Sequence, residues 1–94
     1  MPEGKTRPVL VLTREAVQPY LHALTVAPIT SRVRGLQTEL PVGPRNGLDH
    51  ESVVNLDNIT SVPLSSLGRQ VGFLFDDQEE ALTAALIAAF DLDV

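Results

Sequence analysis

The sequence predicts a small, mainly β domain: a barrel-like antiparallel sheet with one C-terminal helix packed on it, an α+β arrangement. Three observations predict it. Between residues 8 and 75, short runs rich in valine, leucine and isoleucine recur, punctuated by proline, glycine and Asn-Gly. At Asp76 the pattern changes to a helical period that lasts to Phe90. The 94 residues make a single domain, and a chain of that size buries only ~60–65% of the surface its unfolded form exposes. A thin core, and pairing with a second copy, are therefore expected. Apolar residues at 44% and charged residues at 20% place the chain in the folded globular class.

Residues 8–13, PVLVLT, are apolar on both faces and predict a buried central strand. Pro19 interrupts any helix that follows. Residues 21–29, LHALTVAPI, predict the next strand, with Pro28 at its end or at a bulge. Residues 30–35, TSRVRG, form a polar basic loop. Residues 36–42 alternate weakly and predict a further strand with Pro41 near its exit. GPRNG, residues 43–47, is a turn, since Asn and Gly both tolerate positive φ. Residues 52–59, SVVNLDNI, predict a strand, residues 62–67 an irregular or 3₁₀ turn, and residues 69–75, RQVGFLF, a last strand.

DDQEEALTAALIAAF then predicts a helix. Asp76 is placed as N-cap with Glu79 as its capping-box partner. Acidic residues crowd the first turn, where the helix dipole favours them. Leu82, Ala85, Leu86, Ala89 and Phe90 form one apolar stripe. Its alanines imply a closely approaching sheet.

Several chemistries are absent. Without cysteine there are no disulfides, thiolate nucleophiles or cysteine-held zinc. No glycine-rich phosphate loop, paired-histidine motif or GxSxG elbow is present. His22 and His50 lack neighbouring ligands, so no metal is expected. His22 reads as a core or edge histidine and His50 as a solvated one. No basic-then-apolar leader and no apolar run of about 18 residues occur, which predicts a cytoplasmic protein without a membrane span.

The formal charge of −5 argues against nucleic acid, but it is unevenly spread. The first 45 residues hold six Lys and Arg against three carboxylates; the rest hold Arg69 against nine. A local positive surface on an acidic protein is compatible with that split, as are ordinary solvated charges.

Two segments could carry chemistry. Pro8 restricts Arg7 to extended geometry just before a strand, and a guanidinium fixed there can bind a phosphate through two parallel N–H bonds. A strand-end arginine in water is the alternative. Thr30, Ser31 and Arg32 bring two hydroxyls and a guanidinium to the end of another strand. That set suits a phosphate, or equally a turn whose hydroxyls bond their own backbone.

GKTRPVLVLTR, then VAPITSR, then SVVNLDNI stand in the order of three blocks found in the MazF/PemK toxins, which this chain resembles over residues 4–92. The blocks are a glycine loop ending in Arg-Pro before an apolar strand, a strand ending in proline and paired hydroxyls, and an acidic-plus-amide pair closing a later strand. The resemblance implies the SH3-like CcdB/PemK-type barrel. It further implies a homodimer, with no metal or cofactor, that cleaves single-stranded RNA within a type II toxin–antitoxin system and is held by a cognate antitoxin. It assigns catalysis to Arg7 and Thr30, and RNA contacts to Lys5, Arg14, Ser31, Arg32, Asp57 and Asn58. Asp57 and Asn58 could equally brace their strand, and Tyr20 could stack on a base or pack. Family members carry a strand ahead of the Arg-Pro loop; here Met1 falls inside that loop, which implies a late start or a lost strand. Two alternatives share the fold: a CcdB-like toxin that grips DNA gyrase without catalysis, and a shortened, inactive homologue that binds antitoxin.

Overall fold

The computed structural model describes residues 7–92. Strands β1 (Val9–Val11), β2 (Ala23–Thr30), β3 (Glu39–Val42), β4 (Ser52–Asn55) and β5 (Thr60–Pro63) precede helix α1 (Asp76–Phe90). All pairings are antiparallel. The order is β1-β2-β4-β3, and β5 also lies on β2. Short 3₁₀ turns occupy Glu15–Tyr20, Pro44–Asn46 and Leu64–Ser66.

β2 organises the sheet. One of its edges faces β1. The other faces β5 along Ala23–Val26 and β4 along Ile29–Thr30. Thr25 O accepts from Leu12 N, and Ile29 N donates to Pro8 O, so the odd-numbered peptide groups of β2 face β1. The backbone nitrogen of Pro28 therefore points to the opposite edge, into the gap between β5 and β4. A residue without an N–H suits a position with no acceptor. Here Pro28 lies inside the strand rather than at its end, two residues before Thr30.

The core is built where the two sheet halves and the helix meet. Ala27, Leu40, Val42, Val54, Leu56 and Ala85 are buried together, flanked by Leu10, Ile29, Leu74 and Leu82. Leu40 and Val42 point inward from β3 and Pro41 outward. α1 packs on β3 with the small Ala85 at the contact, as the alanine-rich stripe predicts. Phe90 does not join that stripe; it is 56% exposed.

The outer edge of β3 is closed. Glu39 N donates to Leu36 O, Pro41 has no N–H, Pro41 O accepts from Gln78 Nε2, and Gly43 N donates to Asn46 Oδ1. No donor is left there to pair a further strand. The outward groups of Val9 and Val11 in β1, by contrast, have no backbone partner among the described residues.

Four expectations need correction. Of residues 8–13, Val9–Val11 form a half-buried strand that pairs on one side only among the described residues. Residues 52–59 are not one strand: Asn55 Oδ1 accepts from Asp57 N at 2.9 Å, and the turn this closes separates β4 from β5, so that residues 62–67 begin inside a strand. Residues 69–75 have no regular structure and join no ladder. The Phe73 carbonyl is taken by Asn46 Nδ2 and that of Gly72 by Gln70 Nε2. Finally, α1 is capped one residue earlier than expected. Phe75 N donates to Gln78 Oε1 at 3.0 Å, making Phe75 the N-cap and Gln78, not Glu79, the reciprocal partner.

Gln78 is held there by a second buried amide. Asn46 Nδ2 donates to Gln78 Oε1 at 2.8 Å, and Gln78 Nε2 donates back to Asn46 Oδ1 at 3.0 Å. Both side chains are buried, and the pair ties the residue 43–47 turn to β3, to residues 73–75 and to the helix start. The turn also meets residues 71–72 backbone to backbone. A Cβ on Gly72 would stand 1.9 Å from Asn46 O, and one on Gly47 would stand 2.0 Å from Val71 O. Gly47 takes φ 89°, while Asn46 stays right-handed within its 3₁₀ turn.

Candidate functional site

The β1–β2 ladder aligns Val9 with Pro28, Leu10 with Ala27 and Val11 with Val26. Beyond Val9 it continues through the Ile29 N–Pro8 O bond of 3.2 Å. Were the same register continued by one more pair, Arg7 would fall opposite Thr30. Cβ atoms of facing antiparallel residues lie roughly 4.5–5.5 Å apart on one side of the sheet. Arg7 is exposed; Thr30 is half-buried at the end of β2, paired across β4 with Val53.

The Thr30 hydroxyl is oriented by its own chain. Its Oγ1 accepts from Arg32 N at 3.1 Å, the local turn that the sequence left open as an alternative. Accepting one bond leaves the hydroxyl proton available to donate outward. Ser31 and Arg32 follow, both exposed, in a loop that also holds exposed Arg34. Glu39 takes the backbone N–H groups of Arg34, Gly35 and Leu36. Thr38 Oγ1 donates to Asp57 Oδ2 at 2.6 Å and anchors the loop's far end. The one ion pair among the described residues, Arg45 with Asp77, is elsewhere, so the charges of Arg32 and Arg34 face solvent.

The remaining candidates are dispersed. Asp57 and Asn58 lie in the turn after β4. Asp57 comes four residues after the Val53 that pairs with Thr30, roughly 13 Å along a strand. The bond from Thr38 gives Asp57 a bracing role, and Asn58 is exposed. Arg14 is at the opposite end of β1 from Arg7, roughly 20 Å away at strand rise. Lys5 lies outside the described residues. Tyr20 does not pack: it is 82% exposed. His22 is exposed just before β2, not in the core, and His50 is exposed. No three His, Cys, Asp or Glu side chains cluster as a metal site among the described residues.

A shallow depression of about 410 Å³ lies between β3, the residue 43–47 turn and the start of α1. Its charged lining is Glu51 and the Arg45–Asp77 ion pair, which leaves no unpaired cation there to receive a phosphate.

The family model for the PemK-like, MazF-like toxin of type II toxin–antitoxin systems matches residues 2–90. The chain belongs to the PemK/MazF toxin family. It is 57% identical over 89 residues to endoribonuclease MazF3 of Mycobacterium tuberculosis, covering 95% of this chain and 86% of that one. A probable endoribonuclease, MazF5 of the same species, is 39% identical over 92 residues, covering 97% of this chain and 84% of that one. Among solved structures, Mycobacterium tuberculosis toxin MazF-mt6 superposes with a TM-score of 0.91 at 57% identity, covering 94% of this chain and 89% of that one. A mycobacterial endoribonuclease solved with its cognate antitoxin matches at 0.82 and 24% identity, covering 94% and 84%, which extends the likeness in fold. The PemK/MazF chain is thus an antiparallel sheet with one terminal helix, as the sequence predicts. No helix among the described residues is long and apolar enough to cross a membrane.

Sequence reasoning passed over Arg34 and Glu39. A lone acid within a weakly alternating strand run carries no signal that its carboxylate will collect three backbone donors. Asn46 was seen only as half of an Asn-Gly turn, and a turn motif says nothing of a partner 32 residues away.

Proposed function

We propose that this PemK/MazF toxin is an endoribonuclease that cleaves single-stranded RNA without a metal, through attack of a ribose 2′-hydroxyl on the adjacent phosphate. The observation that supports the reading is the β1–β2 register, Val9 with Pro28 and Ile29 N on Pro8 O, which if continued by one pair would bring Arg7 to Thr30. The O2′–P bond forms as the P–O5′ bond breaks. The 2′-hydroxyl loses its proton and the departing O5′ gains one, leaving a cyclic phosphate and a 5′-hydroxyl end. The phosphorane between these states carries two negative charges. Arg7 offers parallel N–H donors and Thr30 a hydroxyl donor to its oxygens. A guanidinium has no acceptor and stays cationic at neutral pH, so Arg7 acts as a clamp rather than a base.

Ser31 and Arg32 extend the phosphate-binding surface from Thr30, and Arg14 and Lys5 offer further backbone contacts. Exposed Tyr20, Phe73, Phe90 and Leu92 on so thin a core suit a homodimer. A cognate antitoxin is the regulatory partner, by analogy with the mycobacterial endoribonuclease whose structure was solved in complex with one, and the cytoplasm is the compartment that supplies both RNA and antitoxin. Neither the gyrase-binding nor the inactive alternative is favoured, since the relative sharing 57% of residues bears the name endoribonuclease.

The test is cleavage of single-stranded RNA in EDTA by the wild type and by Arg7→Ala. Cutting that persists in EDTA and is lost in a folded variant supports the reading. A folded Arg7→Ala that cuts at the wild-type rate removes it.

A further inference from the structure

Residues 31–38 join β2 to β3 without regular structure and present the guanidiniums of Arg32 and Arg34. An untied loop binds weakly, because apparent affinity falls by the fraction of time it spends in the competent conformation. Thr30 Oγ1 holds the start of this loop and the Thr38–Asp57 bond its end, and one side chain ties the stretch between them. Glu39 Oε1 accepts from the backbone N–H of Arg34 at 3.1 Å, Gly35 at 2.9 Å and Leu36 at 3.3 Å, and Oε2 makes a second contact with Arg34 N at 3.3 Å. Glu39 N returns a bond to Leu36 O at 3.1 Å. Gly35, at φ 77°, turns the backbone so that successive N–H groups converge on the carboxylate. The clamp has a firm base, since Glu39 opens β3 and the next residue, Leu40, is 1% exposed.

We infer that Glu39 is a positioning residue for RNA: it touches no substrate, but holds the backbone beneath Arg32 and Arg34 in the conformation that receives phosphate. This rests on the ribonuclease reading above. It also runs against simple electrostatics. Removing an acid beside an RNA surface should tighten RNA binding if charge were all that mattered. A clamp predicts the opposite sign, and it predicts that the neutral amide of glutamine, which keeps one acceptor oxygen, largely replaces the carboxylate.

The measurement is binding of a mixed-sequence 2′-O-methyl RNA, which cannot attack its own phosphate, to wild type, Glu39→Ala, Glu39→Gln and Arg34→Ala. Amide exchange at residues 34–36 is followed in parallel. If the clamped form falls to about a tenth of the population, Glu39→Ala binds about tenfold more weakly. Glu39→Gln stays within about threefold of wild type on the same scale. The salt dependence of Glu39→Ala is unchanged because both arginines remain, whereas Arg34→Ala loses roughly 0.7 from the slope. On cleavable RNA, Glu39→Ala raises KM far more than it lowers kcat, because the substitution leaves the β1–β2 ladder beside Arg7 and Thr30 intact.

Should Glu39→Ala fail to fold, Gly35→Ala is the second probe. A Cβ there meets nothing within 4 Å, so it strains only the backbone and keeps the acidic charge. It too should weaken binding. Equal or tighter binding by folded Glu39→Ala, or unchanged exchange at residues 34–36, overturns the inference alone. A wild-type chain that neither binds nor cuts RNA sinks the ribonuclease reading and this one with it.

Discussion

Thr30 Oγ1 has two duties. It accepts a backbone N–H from Arg32, and its own proton is left for a phosphate oxygen. Thr30→Val removes both at nearly constant volume. The expected loss of cleavage rate is about 10²–10³-fold, the usual cost of one preorganised donor, with a melting temperature close to wild type. Thr30→Ser should keep most of the rate. A valine variant that cuts as fast as wild type contradicts the assignment. Asn46 and Gln78 act on stability instead. Each alanine substitution strands the partner amide in the core and should cost about 1–3 kcal/mol. In a double-mutant cycle by urea denaturation the two should be coupled by at least about 0.5 kcal/mol. Strict additivity would show that the amides do not act together. The two kinds of residue differ in how far sequence reveals them. Arg7 and Thr30 were singled out by the family resemblance, since the residues alone left each of their segments open to an ordinary turn or a solvated strand end. Asn46 and Gln78 are polar residues in a turn and a first helical turn, where polar residues need no explanation, and only the fold shows that both are buried.

The elements follow the sequence where one face had to be apolar, and depart from it where a side chain replaced a strand. α1 was legible because its stripe of Leu82, Ala85, Leu86 and Ala89 repeats at helical spacing. The run at residues 69–75 looked like a strand for the same kind of reason, yet its carbonyls are satisfied by Asn46 and Gln70. What holds that segment is the close crossing of Gly72 and Gly47. Gly72→Ala would push a methyl into the Asn46 carbonyl and should destabilise the fold by about 1–3 kcal/mol as an overpacked contact. Ala at Gly68, where nothing lies within 4 Å, is the matched control. Equal melting temperatures for the two variants would deny the crossing any role.

At the scale of the whole molecule, charge is arranged by half. The one described ion pair joins the two halves at the start of α1, where a hydrogen bond from Arg45 of the basic half holds the Asp77 carboxyl below its ordinary 3.8. A lowered acid pKa means that the pairing stabilises the fold at higher pH and is lost as pH falls through the folded value. Both side chains are mostly exposed, so the effect is small. Denaturation midpoints of wild type and Arg45→Ala should therefore differ more at about pH 6 than at about pH 3. A gap that widens on acidification would reverse the sign. The overall barrel was predicted because alternating short strands with a single terminal helix admit few packings. The order of its strands was not, because nothing in the run at residues 21–29 announces that one strand will serve three neighbours.

That shared strand has a kinetic consequence. Past Pro28 the backbone trades one partner for another, and no peptide hydrogen there bridges the change. The two ends of β2 can accordingly come undone in separate events. Deuterium uptake should sort the Leu24 and Val26 amides, released with β5, from that of Thr30, released with β4, so that eight consecutive residues report two different opening free energies.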